Sequence, residues 1–278
     1  MDLLEPLGFI GLGNMGGPIA LRLVRAGYRM TVLDLDEKKM APLVTEGAVP
    51  AKTAAGVARS SSVVFTSLHP EGVEQVILGE EGVAEAAREG LAVADLSTAP
   101  PELAVRLSDA LRRRGAGMLD APVSGADIGA TNGELTVFVG GDYETYRRCL
   151  PVLQCVGRTV TYLGKSGNGQ IAKRINQMMQ AFSELAIFEG LLLAEKAGLD
   201  LKAFARAASG GCAQTWRLEE LVDRVWNHGE KRYRMRIRPS RTGHALEMAK
   251  SAGVRLAGAE AAHQVFSERG WEVVIDFS

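Results

Sequence analysis

Lys173, Asn176 and Gln177 are polar residues in a largely apolar stretch, and spacings of three and four place all three on one helical face. From Gln170 to Ala197 there is no proline and almost no β-propensity. Ile171, Ile175, Met178, Met179, Phe182, Leu185, Ile187, Phe188 and Leu191 to Leu193 run nearly all the way round the helix that this pattern predicts. At about 1.5 Å per residue it would span about 40 Å, enough to link two domains. A lysine there is costly to bury unless it is paired or useful. Desolvation can bring its ammonium toward the working pH as an acid/base group. Lys173 is therefore either catalytic or a helix-surface cation; Arg174, one position on, faces elsewhere.

An acid/base lysine needs a substrate held near it. Small residues at Ser124, Gly125 and Ala126 let successive backbone N–H groups converge on an anion, as in a nest; a flexible loop is the alternative. The glycine pattern is more specific. The apolar run Leu7 to Leu12 reads as a buried parallel strand and leads into Gly11-Leu12-Gly13-Asn14-Met15-Gly16, with a helical pattern from Ile19 to a stop at Gly27. Gly11 allows the tight turn, Gly13 lets the backbone approach a pyrophosphate, and Gly16 lets helix and strand pack closely. The helix N-terminus presents N–H groups and partial positive charge to phosphates. This stretch predicts a dinucleotide site.

The next strand, Arg29 to Leu35, ends on Asp34, roughly 20 positions past the first glycine, where such sites hold the ribose hydroxyls. An acid repels a 2′-phosphate and Leu35, not arginine, follows it, so NAD is favoured. Asp36 can share the role, and Lys38 and Lys39 leave NADP open. A turn-initiating acid is the alternative for Asp34. Further strands run from Ser62 to Leu68, Leu91 to Leu96, Gly117 to Val123, Glu134 to Gly141 and Arg158 to Gly164, with a helix from Tyr143 to Val156. Ligands lie beyond the carboxyl ends of such strands, which brings Leu68, His69, Pro70, Ser97 and Thr98 toward the cofactor. His69 reads more plainly as a loop histidine than as a base. Ser97 or Thr98 can also cap the helix that begins near Pro100 and Pro101.

Alternation of strand and helix over residues 1–164 predicts an α/β, doubly wound sheet. The remainder, residues 165–278, is helical in pattern (Leu201–Ala208, Leu218–Trp226, Gly243–Gly253, Ala259–Arg269), with a strand signal only at Glu272 to Ile275. The 278 residues are 46% hydrophobic and 23% charged, which suits an ordinary globular protein of one large or two medium domains. A net charge of −1 offers no global field for nucleic acid or anionic membrane. The basic runs Arg112–Arg114 and Lys231–Arg238 read as solvated faces paired with nearby acids. Three cysteines without a C-x-x-C, a start lacking a basic leader and no membrane-length apolar run point to the reducing cytoplasm, with no metal site expected.

Four stretches coincide in order and separation: Gly8 to Gly16, Asp95-Leu96-Ser97-Thr98, Asp120-Ala121-Pro122-Val123-Ser124-Gly125, and Gly167-Asn168-Gly169-Gln170-Ile171-Ala172-Lys173. Through them the chain resembles, over essentially its whole length, the β-hydroxyacid dehydrogenase family of the 3-hydroxyisobutyrate dehydrogenase and tartronate semialdehyde reductase type. The resemblance implies a Rossmann domain followed by an all-helical domain, joined by the long helix. It also implies that Lys173 is the general acid/base, that Ser124 and Gly125 hold a substrate carboxylate, that Thr98 lies beside the nicotinamide, and that Asp34 marks an NAD user. The expected reaction moves hydride between nicotinamide and a small 3-hydroxy acid or its semialdehyde.

Three positions depart from the family pattern. The usual asparagine four residues after the lysine is Gln177, with Asn176 before it. The usual second glycine of the carboxylate loop is Ala126. A Lys-Asp pair that normally reaches the cofactor is absent from Pro239-Ser240-Arg241-Thr242-Gly243, where Arg241 could supply the charge. These departures motivate two alternatives: a reductase acting on an imine or a sulfonated aldehyde, or a cofactor-binding module without turnover. Spare apolar helix surface, and the family's habit, suggest a homo-oligomer, dimer or tetramer.

Overall fold

The computed structural model describes residues 5–236, 238–269 and 272–277. The expectation for the N-terminal leader therefore falls partly, at Met1 to Leu4, outside the described residues, as does Ile237 of the basic run. The chain divides into two compact units, Met1–Lys173 and Arg174–Ser278.

The first unit alternates strand and helix: β1 (Leu7–Ile10), α1 (Gly16–Arg25), β2 (Met30–Leu33), α2 (Glu37–Thr45), β3 (Val49–Pro50), α3 (Ala54–Arg59), β4 (Val63–Thr66), α4 (Pro70–Leu78), a 3-10 turn (Val83–Ala86), β5 (Ala92–Asp95), α5 (Pro101–Arg112), β6 (Gly117–Asp120), β7 (Val123–Ser124), α6 (Ala126–Asn132), β8 (Thr136–Gly141), α7 (Tyr143–Val156) and β9 (Thr159–Tyr162). The strands form one sheet in the order β3-β2-β1-β4-β5-β6-β8-β7, with β9 on β8. Strands β1 to β6 pair in parallel and β8 runs antiparallel to β6. The first six positions follow the doubly wound dinucleotide order, which reverses between β1 and β4.

The central strands are buried on both faces, hence their unbroken apolar runs. Leu7, Phe9, Phe65, Ala92 and Ala94 face one core with α1 and α7, while Ile10, Val64 and Val93 face the other with α3, α4 and α5. This is the two-residue alternation of a strand. The rings of Phe9 and Phe65 stack at 5.9 Å. The stretch read as a single strand from Gly117 to Val123 is two, β6 and β7, because the chain turns at Ala121-Pro122 to pair antiparallel with β8.

The long helix α8 (Asn168–Lys196) carries the chain out of the first unit, and α9 (Leu201–Ser209), α10 (Trp216–Trp226), α11 (Ser240–Ser251) and α12 (Ala257–Arg269) follow. The second unit is helical, as expected, but it also holds a two-stranded antiparallel sheet of β10 (Arg232–Arg236) and β11 (Glu272–Asp276). Strand β10 lies in the run read as a charged face. Its Tyr233 and Met235 enter the core with Ile187, Leu191, Leu221 and Ile275, while Arg232 and Arg234 stay exposed. Arg232 meets Asp276 across the ladder at 3.2 Å, the ion pairing expected of that face.

Candidate active site

The parallel strands put the loops after β1, β2, β4, β5 and β6 along one edge of the sheet. After β1 the chain turns at Gly11, whose φ of +91° is open to glycine and strained for other residues. A Cβ on Gly16 would lie 1.9 Å from the Gly11 carbonyl oxygen and 3.0 Å from Phe9. Helix α1 can thus sit against β1 only without a side chain there. Gly13 differs: a Cβ on it would meet nothing within 4 Å. Among the described residues no side chain caps α1, and its first turn holds no acid. This turn fits a dinucleotide: two glycines are used for packing and the third leaves open space before the helix N-terminus.

Asp34 closes the turn from β2. Its Oδ2 accepts the Leu12 N–H at 2.6 Å and its Oδ1 accepts the Asp36 N–H at 2.9 Å, with Lys39 Nζ at 3.6 Å. The carboxylate therefore holds the glycine loop as well as standing at the strand end. Asp36 caps α2 by accepting from Lys38. Beyond β4, Pro70 opens α4 and the exposed His69 pairs with Glu71 at 3.4 Å.

The loop after β5 corrects one expectation. Neither Ser97 nor Thr98 caps α5, whose N-cap is Pro100 without a side-chain bond. Instead Ser97 Oγ accepts the Leu68 N–H at 2.9 Å, linking the β5 loop to the β4 loop. Asp95, fully buried, accepts from Thr66 Oγ1 at 2.8 Å and from Ser97 N–H at 3.0 Å. Burial raises its carboxyl, and those hydrogen bonds oppose the rise. Asp120, opposite Asp95 in the β5–β6 register, accepts the N–H groups of Gly167 at 2.8 Å and Gln170 at 3.0 Å. It thus anchors the first turn of α8, where the helix dipole favours an anion. Burial pushes Asp120 up to about 6 against those two donations.

Lys173 lies one turn further along α8 and is buried, at 8% exposure. Asn176 and Gln177 continue the same helix. Ser124 ends β7 opposite Thr136, and the chain then turns through Gly125 at φ +138° and Ala126 at φ +56° into α6. Ala126 thus holds a left-handed conformation where the family pattern has glycine. Arg241 lies on α11, where its Nη1 is bound by both oxygens of the buried Glu184, at 2.9 and 3.1 Å. Arg217 shares that carboxylate through Nε and Nη2, at 3.0 and 2.8 Å. The adjoining Thr242 hydroxyl bonds His263 Nδ1 at 2.9 Å. Sequence reasoning missed Asp95, Asp120, Gln170 and Glu184 as organisers, because their partners are distant in the chain.

A doubly wound sheet with this glycine turn at its switch point, closed by an acid from the next strand, defines a dinucleotide-binding domain. Residues 6–164 match the NAD binding domain of 6-phosphogluconate dehydrogenase, and residues 167–272 match the NAD-binding domain of NADP-dependent 3-hydroxyisobutyrate dehydrogenase. The chain belongs to the β-hydroxyacid dehydrogenase family of NAD(P)-dependent oxidoreductases. It is 34% identical to 2-hydroxy-3-oxopropionate reductase of Escherichia coli over 94% of this chain and 90% of the relative. It is 40% identical to 3-hydroxyisobutyrate dehydrogenase of Pseudomonas aeruginosa over 74% of this chain and 70% of the relative. Among solved structures, Mycobacterium tuberculosis 3-hydroxyisobutyrate dehydrogenase with L-serine superposes with a TM-score of 0.82 at 27% identity, covering 95% and 93% of the two chains. No helix among the described residues is long and apolar enough to cross a membrane.

Proposed function

We propose that this protein interconverts a small 3-hydroxy acid and its semialdehyde, with Lys173 as the general acid/base and NAD preferred over NADP. The observation that carries the reading is a buried lysine on the helix that Asp120 and Gln170 fasten to the cofactor edge of the sheet. Nicotinamide, when bound, supplies or takes up the hydride. Gly11, Leu12, Gly13, Asn14, Met15 and Gly16 receive the pyrophosphate, Asp34 the ribose, and Leu68, His69, Pro70 and Thr98 border the nicotinamide half. Lys173 Nζ gives its proton to the substrate carbonyl oxygen during reduction and takes it back from the hydroxyl during oxidation. The backbone at Ser124, Gly125 and Ala126 receives the carboxylate, and the amides of Asn176 and Gln177 steady it.

The relatives named for 3-hydroxyisobutyrate and 2-hydroxy-3-oxopropionate support this substrate class. Exposed Ile171, Ile175 and Met179, spaced along one face of α8, support a homo-oligomer; we place it in the cytoplasm. The Glu184–Arg241 pair favours a second reading of the cofactor site, in which Arg241 stays a structural cation and the cofactor is held without it.

The test is NAD- and NADP-linked oxidation of 3-hydroxyisobutyrate, 3-hydroxypropionate, glycerate, 4-hydroxybutyrate and serine, followed at 340 nm, in wild type and Lys173→Ala. Turnover on one of these acids with NAD, falling by about 10²–10⁴-fold in the variant while NADH still binds, is the expected result. Near-normal turnover in the variant removes Lys173 from the mechanism. Silence of wild type across the panel, with NADH bound, removes the substrate class.

A further inference from the structure

The loop that bears Thr98 is held on its β5 side by Ser97, whose N–H donates to Asp95 and whose Oγ accepts from Leu68. It is followed by Pro100 and Pro101, which have no N–H to give, and α5 begins there without a side-chain cap. What joins it to α8 is one side chain of that helix. Gln170 is fully buried, its Oε1 accepts the Ala99 N–H at 3.0 Å and its Nε2 donates to the Ser97 carbonyl at 2.8 Å. The amide therefore brackets Thr98 from both sides. The backbone N–H of the same residue donates to Asp120, and Lys173 follows three positions on, the spacing that puts two residues on one helical face. Through Ser97 Oγ and Leu68 N–H the linkage extends to the loop after β4.

We infer that Gln170 is a positioning residue of the hydride-transfer site: its side-chain amide sets the Thr98 loop against the helix that carries Lys173. An amide is the group that fits, because one end of it must accept and the other must donate. A leucine leaves both loop groups unsatisfied in a dry site. A carboxylate can accept from Ala99 but has no proton for the Ser97 carbonyl. A carboxylic acid reproduces both bonds, the hydroxyl donating to Ser97 and the other oxygen accepting from Ala99. Burial and the nearby carboxylates Asp95 and Asp120 favour that neutral form.

The inference rests on the reading of Lys173 and Thr98 above, and the test separates the two. Turnover and NADH binding are compared for wild type, Gln170→Leu and Gln170→Glu between pH 5.5 and 8.5, well below each protein's melting temperature. In Gln170→Leu, kcat is expected to fall about 10–100-fold with NADH affinity within about twofold of wild type. In Gln170→Glu, the ratio of its kcat to that of wild type is expected to rise at least tenfold as pH falls and the carboxyl takes up its proton. The charged groups about it are Lys173 on its own helix, Asp95 on β5 and Asp120 on β6. They are common to both proteins, so their own titrations largely cancel in the ratio. Should Gln170→Leu fail to fold, the glutamate variant, isosteric with the native residue, carries the test alone. A Gln170→Glu ratio that lies far below one and does not rise as pH falls overturns the inference, and so does unchanged kcat in a folded Gln170→Leu. Loss of the Lys173 reading would instead show as full turnover in Lys173→Ala, whatever Gln170 does.

Discussion

The glycine turn separates two roles that a motif alone cannot distinguish, and paired alanine substitutions test them. In Gly16→Ala the new methyl starts 1.9 Å from the Gly11 carbonyl oxygen, against the 3.4–4 Å of ordinary contact. The obstacle is backbone at the end of a central strand, so α1 must back away from β1 by more than an ångström. Overpacking of this kind costs about 1–3 kcal/mol, and a rigid neighbour puts it at the upper end. For a unit of this size, about 3 kcal/mol lowers the melting temperature by roughly 6–12 °C. In Gly13→Ala the methyl meets nothing and φ lies outside the left-handed region, so stability should hold or rise by about 0.4–1 kcal/mol. The same methyl occupies space that the pyrophosphate needs, and NADH affinity should fall by at least about tenfold, or about 1.4 kcal/mol. Thermal melts of the free proteins and NADH fluorescence titrations read the two effects separately. A Gly13→Ala protein that binds NADH like wild type refutes the assignment of that open face, and a Gly16→Ala protein that melts with wild type refutes the packing argument.

Two further predictions concern charge. Asp120 titrates at about 6 in the fold and near 3.8 when unfolded, so between those values the native state holds the extra proton. Its contribution to stability is therefore greatest at low pH and falls as pH rises through that window, by about 3 kcal/mol in all. Asp120→Asn should remove this slope, and urea unfolding at pH 4.5 and 7 that changes in parallel for both proteins would sink the idea. In the second unit, burial works against the Arg217 charge, but Glu184 and Glu220 outweigh it and hold the guanidinium protonated. Replacing the 3%-exposed Glu184 by glutamine takes the shared carboxylate from both arginines, leaving Arg217 with Glu220 alone. Both arginines are partly solvated, so the cost is about 2–3 kcal/mol, below that of a fully dry pair. An unchanged denaturation midpoint would contradict it.

Much of the first unit was legible because its information is local. Fully buried parallel strands need continuous apolar runs, and a helix packed against such a strand needs glycine where the two backbones meet. The span from Tyr143 to Val156 was readable as a helix for the same reason. Strand β10 was not, since arginine at every second position drew attention to charge. Its alternation with Tyr233 and Met235 was present and is the signal that would have found it. Ser97 misled in another way: serine before a proline-led helix looks like a cap, yet its hydroxyl bonds a neighbouring strand's loop. The buried organisers Asp95, Asp120, Gln170 and Glu184 act across folded distance, and no periodicity announces that.

Helix α8 meets the sheet backbone against backbone. A side chain at Gly140 would collide with the Gly169 amide and Asp120, and one at Gly169 with the carbonyls of Asp120 and Phe138. Neither glycine bears a functional group. In a mutational scan selected for turnover, both would nevertheless be intolerant, because any replacement displaces the helix that bears Lys173. Such a map would mark them as chemistry, and only a companion scan for folded abundance would show that the helix's seat is inherited from two places where nothing protrudes.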